Sequence, residues 1–265
     1  MPEGDTIFKT ALSLRRWLEG REVTAAGSSV LGPRIERIVG NTVELIEPRA
    51  KHLLIRFSSG LVLHTHMRMT GSWLVYPSGE RWRRPVRQAK VTLTCGDRMA
   101  VCFNAPVIEL LDARDERAHP MLAGLGPDVL AVDFDVDEVV RRSGLRSPEL
   151  SIGELLLDQQ VVSGVGNIYR CESLFLARHN PWTPRTALDL DQLAHLVGVA
   201  ADLMRANVMA GSTLDRQFGG GRARPWVYRR NGRPCRRCGT LVSAGRLGYH
   251  ARAVYWCPGC QPQAG

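Results

Sequence analysis

The sequence predicts an α+β chain in three parts: a β-sandwich that opens on a helix, a helical region, and a small C-terminal β-hairpin module built around a metal. Three observations predict it. Short strand-like runs separated by glycine- and serine-containing turns crowd residues 23–108. From about Val136 onward the pattern turns helical. Two C-x-x-C pairs, Cys235/Cys238 and Cys257/Cys260, stand eighteen residues apart near the end of the chain.

A chain of 265 residues is above the usual size of one domain and long enough to bury a sizeable core. The boundaries expected are a sandwich over 1–120, a linker over 121–135, a helical domain over 136–226 and a metal module over 227–265. A composition of 44% hydrophobic and 23% charged residues is that of a soluble globular protein. No apolar run approaches the ~18–20 residues of a membrane span, and the N-terminus lacks the basic and apolar segments of a signal peptide. The expectation is therefore a cytoplasmic protein with no membrane partner. A net charge of +9 points to a polyanion, nucleic acid first and a membrane surface second. Arginine dominates the basic residues; the lysines are Lys9, Lys51 and Lys90.

Taken in order, the first element is the terminus Met1-Pro2-Glu3-Gly4-Asp5-Thr6. Pro2 is small enough for Met1 to be clipped, which would leave a secondary amine beside a carboxylate. An α-amino group titrates at roughly 7.7–8.0, well below a lysine. Its neutral form can attack a sugar aldehyde carbon and form an iminium, with Glu3 in reach to move protons. The ordinary alternative is a frayed terminus. Asp5 or Thr6 can cap the helix that follows, whose apolar stripe is Ile7, Ala11, Leu14 and Leu18 and whose end is Gly20.

Strands are expected at Thr42–Ile46, His52–Phe57, Leu61–His64, Ser72–Tyr76 and Lys90–Thr94, with turns at Ser58-Ser59-Gly60 and Pro77-Ser78-Gly79. Many short strands at this spacing suggest a β-sandwich. The stretch Pro120–Pro127 is read as the link between domains. Helices follow over Ser151–Asp158, over Asn167–Ala177 and over Leu190–Met209, the last with Gly211 past its end. The first two flank Val162-Ser163-Gly164-Val165-Gly166. A glycine turn between helices suits a device in which backbone N–H groups hold a phosphate; a plain αα-hairpin is the other reading.

The cysteine spacing matches a four-thiolate structural zinc site, one ion per chain held by Cys235, Cys238, Cys257 and Cys260. So short a segment, poor in large apolar residues, needs a metal to fold. Arg246, Tyr249, His250, Arg252 and Tyr255 between the pairs mix charge with aromatic surface, as a hairpin inserted beside DNA would. Cys95, Cys102 and Cys171 read as small buried hydrophobes.

With these pieces in place, the chain resembles the formamidopyrimidine-DNA glycosylase and endonuclease VIII family of base-excision enzymes. The resemblance rests on Met1–Thr6, Ala50-Lys51-His52-Leu53-Leu54, His66-Met67-Arg68-Met69-Thr70-Gly71, His119-Pro120 with Gly126-Pro127, Val165-Gly166-Asn167-Ile168-Tyr169 followed by Glu172, and the cysteine module carrying Arg252. It implies a β-sandwich, a helix–two-turns–helix domain, a zinc finger, and double-stranded DNA, damaged or abasic, bound in the cleft with one nucleotide flipped out. Position by position, Pro2 resembles the nucleophile, Glu3 its acid/base partner and Lys51 a lysine that meets phosphate near the lesion. Asn167 and Arg252 resemble phosphate-binding residues, and Met69 the residue that fills the gap left by the flipped base.

The opening residues resemble the endonuclease VIII branch, which acts on oxidised pyrimidines. Two departures from the formamidopyrimidine branch agree: Leu111–Arg117 lacks an Arg-x-Phe wedge, and only Gly219–Trp226 separate Phe218 from Val227, too few to cover a flipped purine. His66-x-x-Met69 looks more like the purine branch. The expected activity is thus a bifunctional glycosylase and abasic-site lyase, a monomer associated with a bacterial nucleoid. The alternatives are an oxidised-purine glycosylase of the same family and a non-catalytic zinc-ribbon protein that binds nucleic acid.

Overall fold

Apolar residues of the strands, plus one amphipathic helix, give the first half of the chain its core. The structure, a computed structural model, describes residues 2–209, 216–218 and 224–263. Two compact units divide the chain, Met1–Gly124 and Leu125–Gly265.

In the first unit, helix α1 (Gly4–Leu18) is followed by β1 (Ala25–Ser28), β2 (Val43–Arg49), β3 (His52–Phe57), β4 (Val62–His66), β5 (Ser72–Pro77), β6 (Ala89–Cys95), β7 (Arg98–Phe103), β8 (Val107–Leu111) and α2 (Ala113–Ala118). Two antiparallel sheets form, in the orders β1-β6-β7-β5 and β2-β3-β4-β8. Ile46 of β2, Leu53, Ile55 and Phe57 of β3, and Leu63 of β4 join Val91, Leu93, Ala100 and Cys102 of the other sheet in one core. The expected helix stripe Ile7, Ala11, Leu14 and Leu18 is buried in that same core. Because side chains alternate along a strand, His52, Leu54 and Arg56 stand on the outer face of β3. Helix α2 covers part of that face through Glu116, whose carboxylate accepts two hydrogen bonds from Arg56, each 2.8 Å.

The sandwich is as expected, with local differences. The helix is capped by Glu3 and not by Asp5 or Thr6: the Glu3 carbonyl accepts the Thr6 and Ile7 amides at 2.9 and 3.1 Å, placing both expected caps inside the first turn. Strands β1, β7 and β8 were not among the expected runs. Ala25–Ser28 carries almost no apolar pattern and is a strand because it pairs with β6, Ala25 opposite Thr94 through Ser28 opposite Val91.

In the second unit, α3 (Val136–Gly144), α4 (Ile152–Leu155), α5 (Asn167–Leu176) and α6 (Leu190–Met209) surround a core of Leu155, Val162, Val165, Tyr169, Leu174, Leu196, Val197, Ala200 and Met204. The helix expected over 151–158 is one turn, closed by a capping box: Ser151 Oγ accepts the Glu154 amide and donates to Glu154 Oε2 at 2.7 Å. Past it, the Gln159 side chain takes over the turn, donating to the Val165 carbonyl and accepting the Gly164 amide. Gly164 sits at φ +94°, where a Cβ would also lie 3.2 Å from Asp128 Oδ1 and Val129 Cγ2, so glycine is required there. Gly211 lies outside the described residues.

The hairpin β9 (Ser243–Leu247) and β10 (Arg252–Trp256) completes this unit. It rests on α5 through a shared cluster of Cys171, Phe175, Val227, Val242, Leu247 and Val254. The buried Glu172 carboxylate adds a latch, accepting the Trp226, Val227 and Tyr228 amides at 2.7–3.0 Å.

Candidate active site and thiolate cluster

Pro2 is half-buried and Glu3 fully buried, immediately ahead of the first turn of α1. The four leading N–H groups of a helix and its dipole favour an anion at this end. Glu3 thus sits at the positive end of the helix dipole, beside the residue that would supply the amine. Asp5 and Lys9, one turn apart on the same helix, are also buried, at 1% and 6% exposure. None of these three side chains is without a partner.

Lys51 is half-buried in the tight turn between β2 and β3, directly after Ala50, which has a left-handed φ of 55°. That turn brings His52 opposite His66, the last residue of β4. The loop beyond His66 is pinned at both ends: Met67 is buried, and its carbonyl accepts the Gly71 amide at 2.8 Å. A Cβ on Gly71 would fall 2.7 Å from the Met67 backbone, so only glycine closes this turn. Met69 is thereby held out, 62% exposed, as a wedge would be.

Histidines cluster behind this loop. His52 Nδ1 lies 2.8 Å from His64 Nε2, His64 Nδ1 lies 2.8 Å from Glu109 Oε2, and His119 Nε2 lies 2.9 Å from the same oxygen. Burial, followed by His66, His64, His119 and Lys51, drives His52 down to about 2. Burial and Lys51 likewise take His66 down to about 4. His64 is lowered by burial, against the pull of Glu109 in the other direction. These rings are neutral at physiological pH. Donor atoms of His64, Glu109 and His119 lie within 4.8 Å of one another, close enough for an ion, yet each already makes a hydrogen bond.

In the second unit, Asn167 is the first residue of α5, after the cap Gly166. Its Nδ2 donates to the Ala253 carbonyl at 2.8 Å, and its Oδ1 accepts from Nη2 of the fully buried Arg170. Arg170 Nη2 also donates to the Ala253 carbonyl, at 2.7 Å. Arg252, the neighbour of Ala253, is exposed at the start of β10 opposite Leu247.

The four predicted cysteines converge. Cys235 Sγ is 3.9 Å from Cys260 Sγ, Cys238 Sγ is 3.4 Å from Cys257 Sγ, and all four sulfurs lie within 4.8 Å. A tetrahedral ion with Zn–S near 2.3 Å would set sulfurs about 3.8 Å apart, so the residues fit zinc. Gln261 supports the site, accepting the Cys257 amide and donating to the His179 carbonyl.

The sequence-predicted residues fall into groups: Pro2, Glu3, Lys51 and Met69 in the first unit, Asn167, Arg252 and the four cysteines in the second. Of the expected Gly219–Trp226 span, residues 219–223 lie outside the described residues. Sequence reasoning used His52, His66 and His119 only as motif members and passed over His64, Glu109 and Arg170. The signal available was His64-x-His66 on one strand with His52 directly ahead of the apolar run Leu53-Leu54-Ile55.

The chain is similar to known proteins. A family model described as the formamidopyrimidine-DNA glycosylase N-terminal domain matches residues 1–107, and one described as the formamidopyrimidine-DNA glycosylase H2TH domain matches residues 125–217. The chain is 40% identical to a probable endonuclease 8 2 of Streptomyces coelicolor, over 98% of this chain and 94% of that protein. It is 36% identical to a DNA-(apurinic or apyrimidinic site) lyase Nei2 of Mycolicibacterium smegmatis, over 98% and 99%. Its fold is similar to that of Lactococcus lactis Fpg in complex with abasic-site DNA, with a TM-score of 0.83 at 21% identity over 98% of this chain and all of the other.

Proposed function

Since the chain belongs to the formamidopyrimidine-DNA glycosylase and endonuclease VIII family of DNA glycosylases with abasic-site lyase activity, we propose that it releases oxidised pyrimidines from duplex DNA through an N-terminal proline Schiff base. The observation that carries this reading is Glu3: a fully buried carboxylate at the positive end of a fifteen-residue helix, one residue after Pro2.

The Pro2 nitrogen forms a bond to C1′ and loses its proton as the damaged base leaves with the C1′–N bond electrons and takes up a proton; Glu3, or a water that it orients, then helps protonate the sugar oxygen O4′ so that the C1′–O4′ bond opens. The resulting iminium acidifies the C2′ protons. Loss of one of them expels the 3′ phosphate, and a second elimination can expel the 5′ phosphate. Lys51, Asn167 and Arg252 hold backbone phosphates and Met69 fills the vacated stack, offsetting an unstacking cost of a few kcal/mol. Cys235, Cys238, Cys257 and Cys260 hold a structural zinc that fixes the hairpin bearing Arg252. The working division is a catalytic sandwich, a helical DNA-binding domain and a zinc finger, acting as a cytoplasmic monomer.

The pyrimidine preference is supported by the opening residues, by the relatives named endonuclease 8, and by the absence of an Arg-x-Phe wedge in Leu111–Arg117. Two experiments test the reading. Borohydride reduction with an abasic-site duplex should leave DNA bound to the N-terminal peptide, and protein that retains Met1 should neither trap nor cleave. Full activity from protein shown by mass spectrometry to keep Met1 would overturn the proline mechanism. A panel of lesion duplexes should show release of thymine glycol or dihydrouracil over 8-oxoguanine paired with cytosine; the reverse order would make the enzyme an oxidised-purine glycosylase.

A further inference from the structure

The outer face of the β2-β3-β4-β8 sheet carries a polar chain that the proposed chemistry does not use. It crosses three strands, from His52 on β3 to His64 on β4 and Glu109 on β8, and ends at His119 after α2. His64 and Glu109 are direct cross-strand partners, as are His52 and His66.

The contacts leave one assignment of protons. His119 Nδ1 accepts the Met121 amide at 3.3 Å, so its proton is on Nε2 and is donated to Glu109. The carboxylate oxygen can only accept, so His64 presents its proton from Nδ1. His64 Nε2 is then a bare acceptor, and His52 must donate to it from Nδ1. The other end of this order is the turn that carries Lys51. His52 follows Lys51 directly and meets the His66 ring edge-on, 4.7 Å between centroids, and His66 Nδ1 accepts the amide of Arg68 at 3.1 Å. Burial keeps His52, His64 and His66 uncharged between Lys51, Arg49 and Arg68. The Glu109 side chain is 41% exposed, at the edge of the group. The far anchor also orders the end of the unit, because the His119 carbonyl accepts the Leu122 and Ala123 amides.

We propose that His64 and Glu109 are positioning residues: the chain that they anchor holds His52 as a single neutral tautomer against the Lys51 turn and His66, and so sets the geometry with which that end of the sheet meets DNA phosphate. This rests on Lys51 being a DNA contact, as proposed above. One oxygen of Glu109, Oε2, accepts from both neighbours. Glu109→Leu removes that acceptor, leaves both imidazole N–H groups without it and so frees the tautomers along the chain. His64→Asn cannot both donate and accept in the places of the ring nitrogens. His119→Gln can, because its Nε2 donates where the ring Nε2 does.

The experiment has two arms on the full zinc-loaded chain. Histidine nitrogen NMR should find His52 and His64 as Nδ1–H tautomers and His119 as Nε2–H, with Glu109→Leu scrambling the first two. In lyase kinetics on an abasic-site duplex, Glu109→Leu and His64→Asn should raise KM about tenfold with kcat within about twofold, while His119→Gln stays close to the unaltered enzyme. A different tautomer for His64 would overturn the assignment. Equal loss in all three variants, or loss confined to kcat, would overturn the positioning role. A second metal equivalent per chain, lost in Glu109→Leu while the ribbon keeps its own, would replace the hydrogen-bonded chain with an ion site. Borohydride trapping at Pro2 on the same samples separates the two readings, since its failure removes the proline mechanism and leaves the tautomer result standing.

Discussion

The side-chain amide of Asn167 donates to the Ala253 carbonyl at 2.8 Å, tying the first residue of α5 to the strand that begins with Arg252. Residues 86 apart in sequence thus set each other's geometry, and Arg170 reinforces the tie on the same carbonyl. Asn167→Ala leaves the buried Arg170 guanidinium short of an acceptor and should cost about 1–2 kcal/mol of stability. It should also weaken binding to damaged and undamaged duplexes alike. Arg252→Ala should leave the fold intact and lower the salt slope of binding by about one. The check is a salt titration of affinity for both variants; a change in lesion choice at full affinity would contradict it.

Metal content offers the second prediction. Elemental analysis should give about one zinc per chain, as a closed four-cysteine site takes one ion. Cys257→Ser should lower that content and weaken DNA binding, because Cys257 follows β10 directly and its loss frees the strand that presents Arg252. Soluble, active protein without metal would count against the site.

Glu3→Gln should separate the two chemical steps. The cap of α1 is the Glu3 backbone carbonyl, with no side-chain cap bond, so the substitution leaves the cap itself in place. Base excision should be lost, while cleavage at a pre-formed abasic site persists in part, since the aldehyde needs less acid help than a leaving base. Single-turnover rates on a thymine glycol duplex and on an abasic duplex make the comparison; equal loss on both would refute it.

Acid stability should depend on Glu116. Its carboxyl is lowered by the hydrogen bond from Arg56, opposed by burial and helped further by Arg49. A depressed carboxylate contributes stability at and above the unfolded-state pKa, and that contribution disappears as pH falls through the folded-state value. Urea melts should therefore show the unaltered protein losing about 1–2 kcal/mol relative to Glu116→Gln as pH drops from neutral to below the ordinary carboxylate range. A constant gap between the two across pH would be the contrary result.

The residues themselves determined much that is local. The strand-like runs at His52–Phe57 and Ser72–Tyr76 became β3 and β5, the stripe Ile7, Ala11, Leu14 and Leu18 became the buried side of α1, and the cysteine spacing brought four sulfurs within 4.8 Å. In each case the information lies within a few turns or strand steps, where side-chain periodicity and ligand spacing act directly. Only the tertiary structure decided that β1 exists at all, since Ala-Ala-Gly-Ser has no apolar face of its own and takes its form from β6. It also decided that Glu3 caps α1, that Asn167 reaches Ala253, and that His52, His64, Glu109 and His119 meet. Those contacts depend on strand register and helix packing. Register is a property of two segments at once, so no window of sequence holds it, and a slip of one residue in β3 or β4 would turn His52 or His64 to the opposite face.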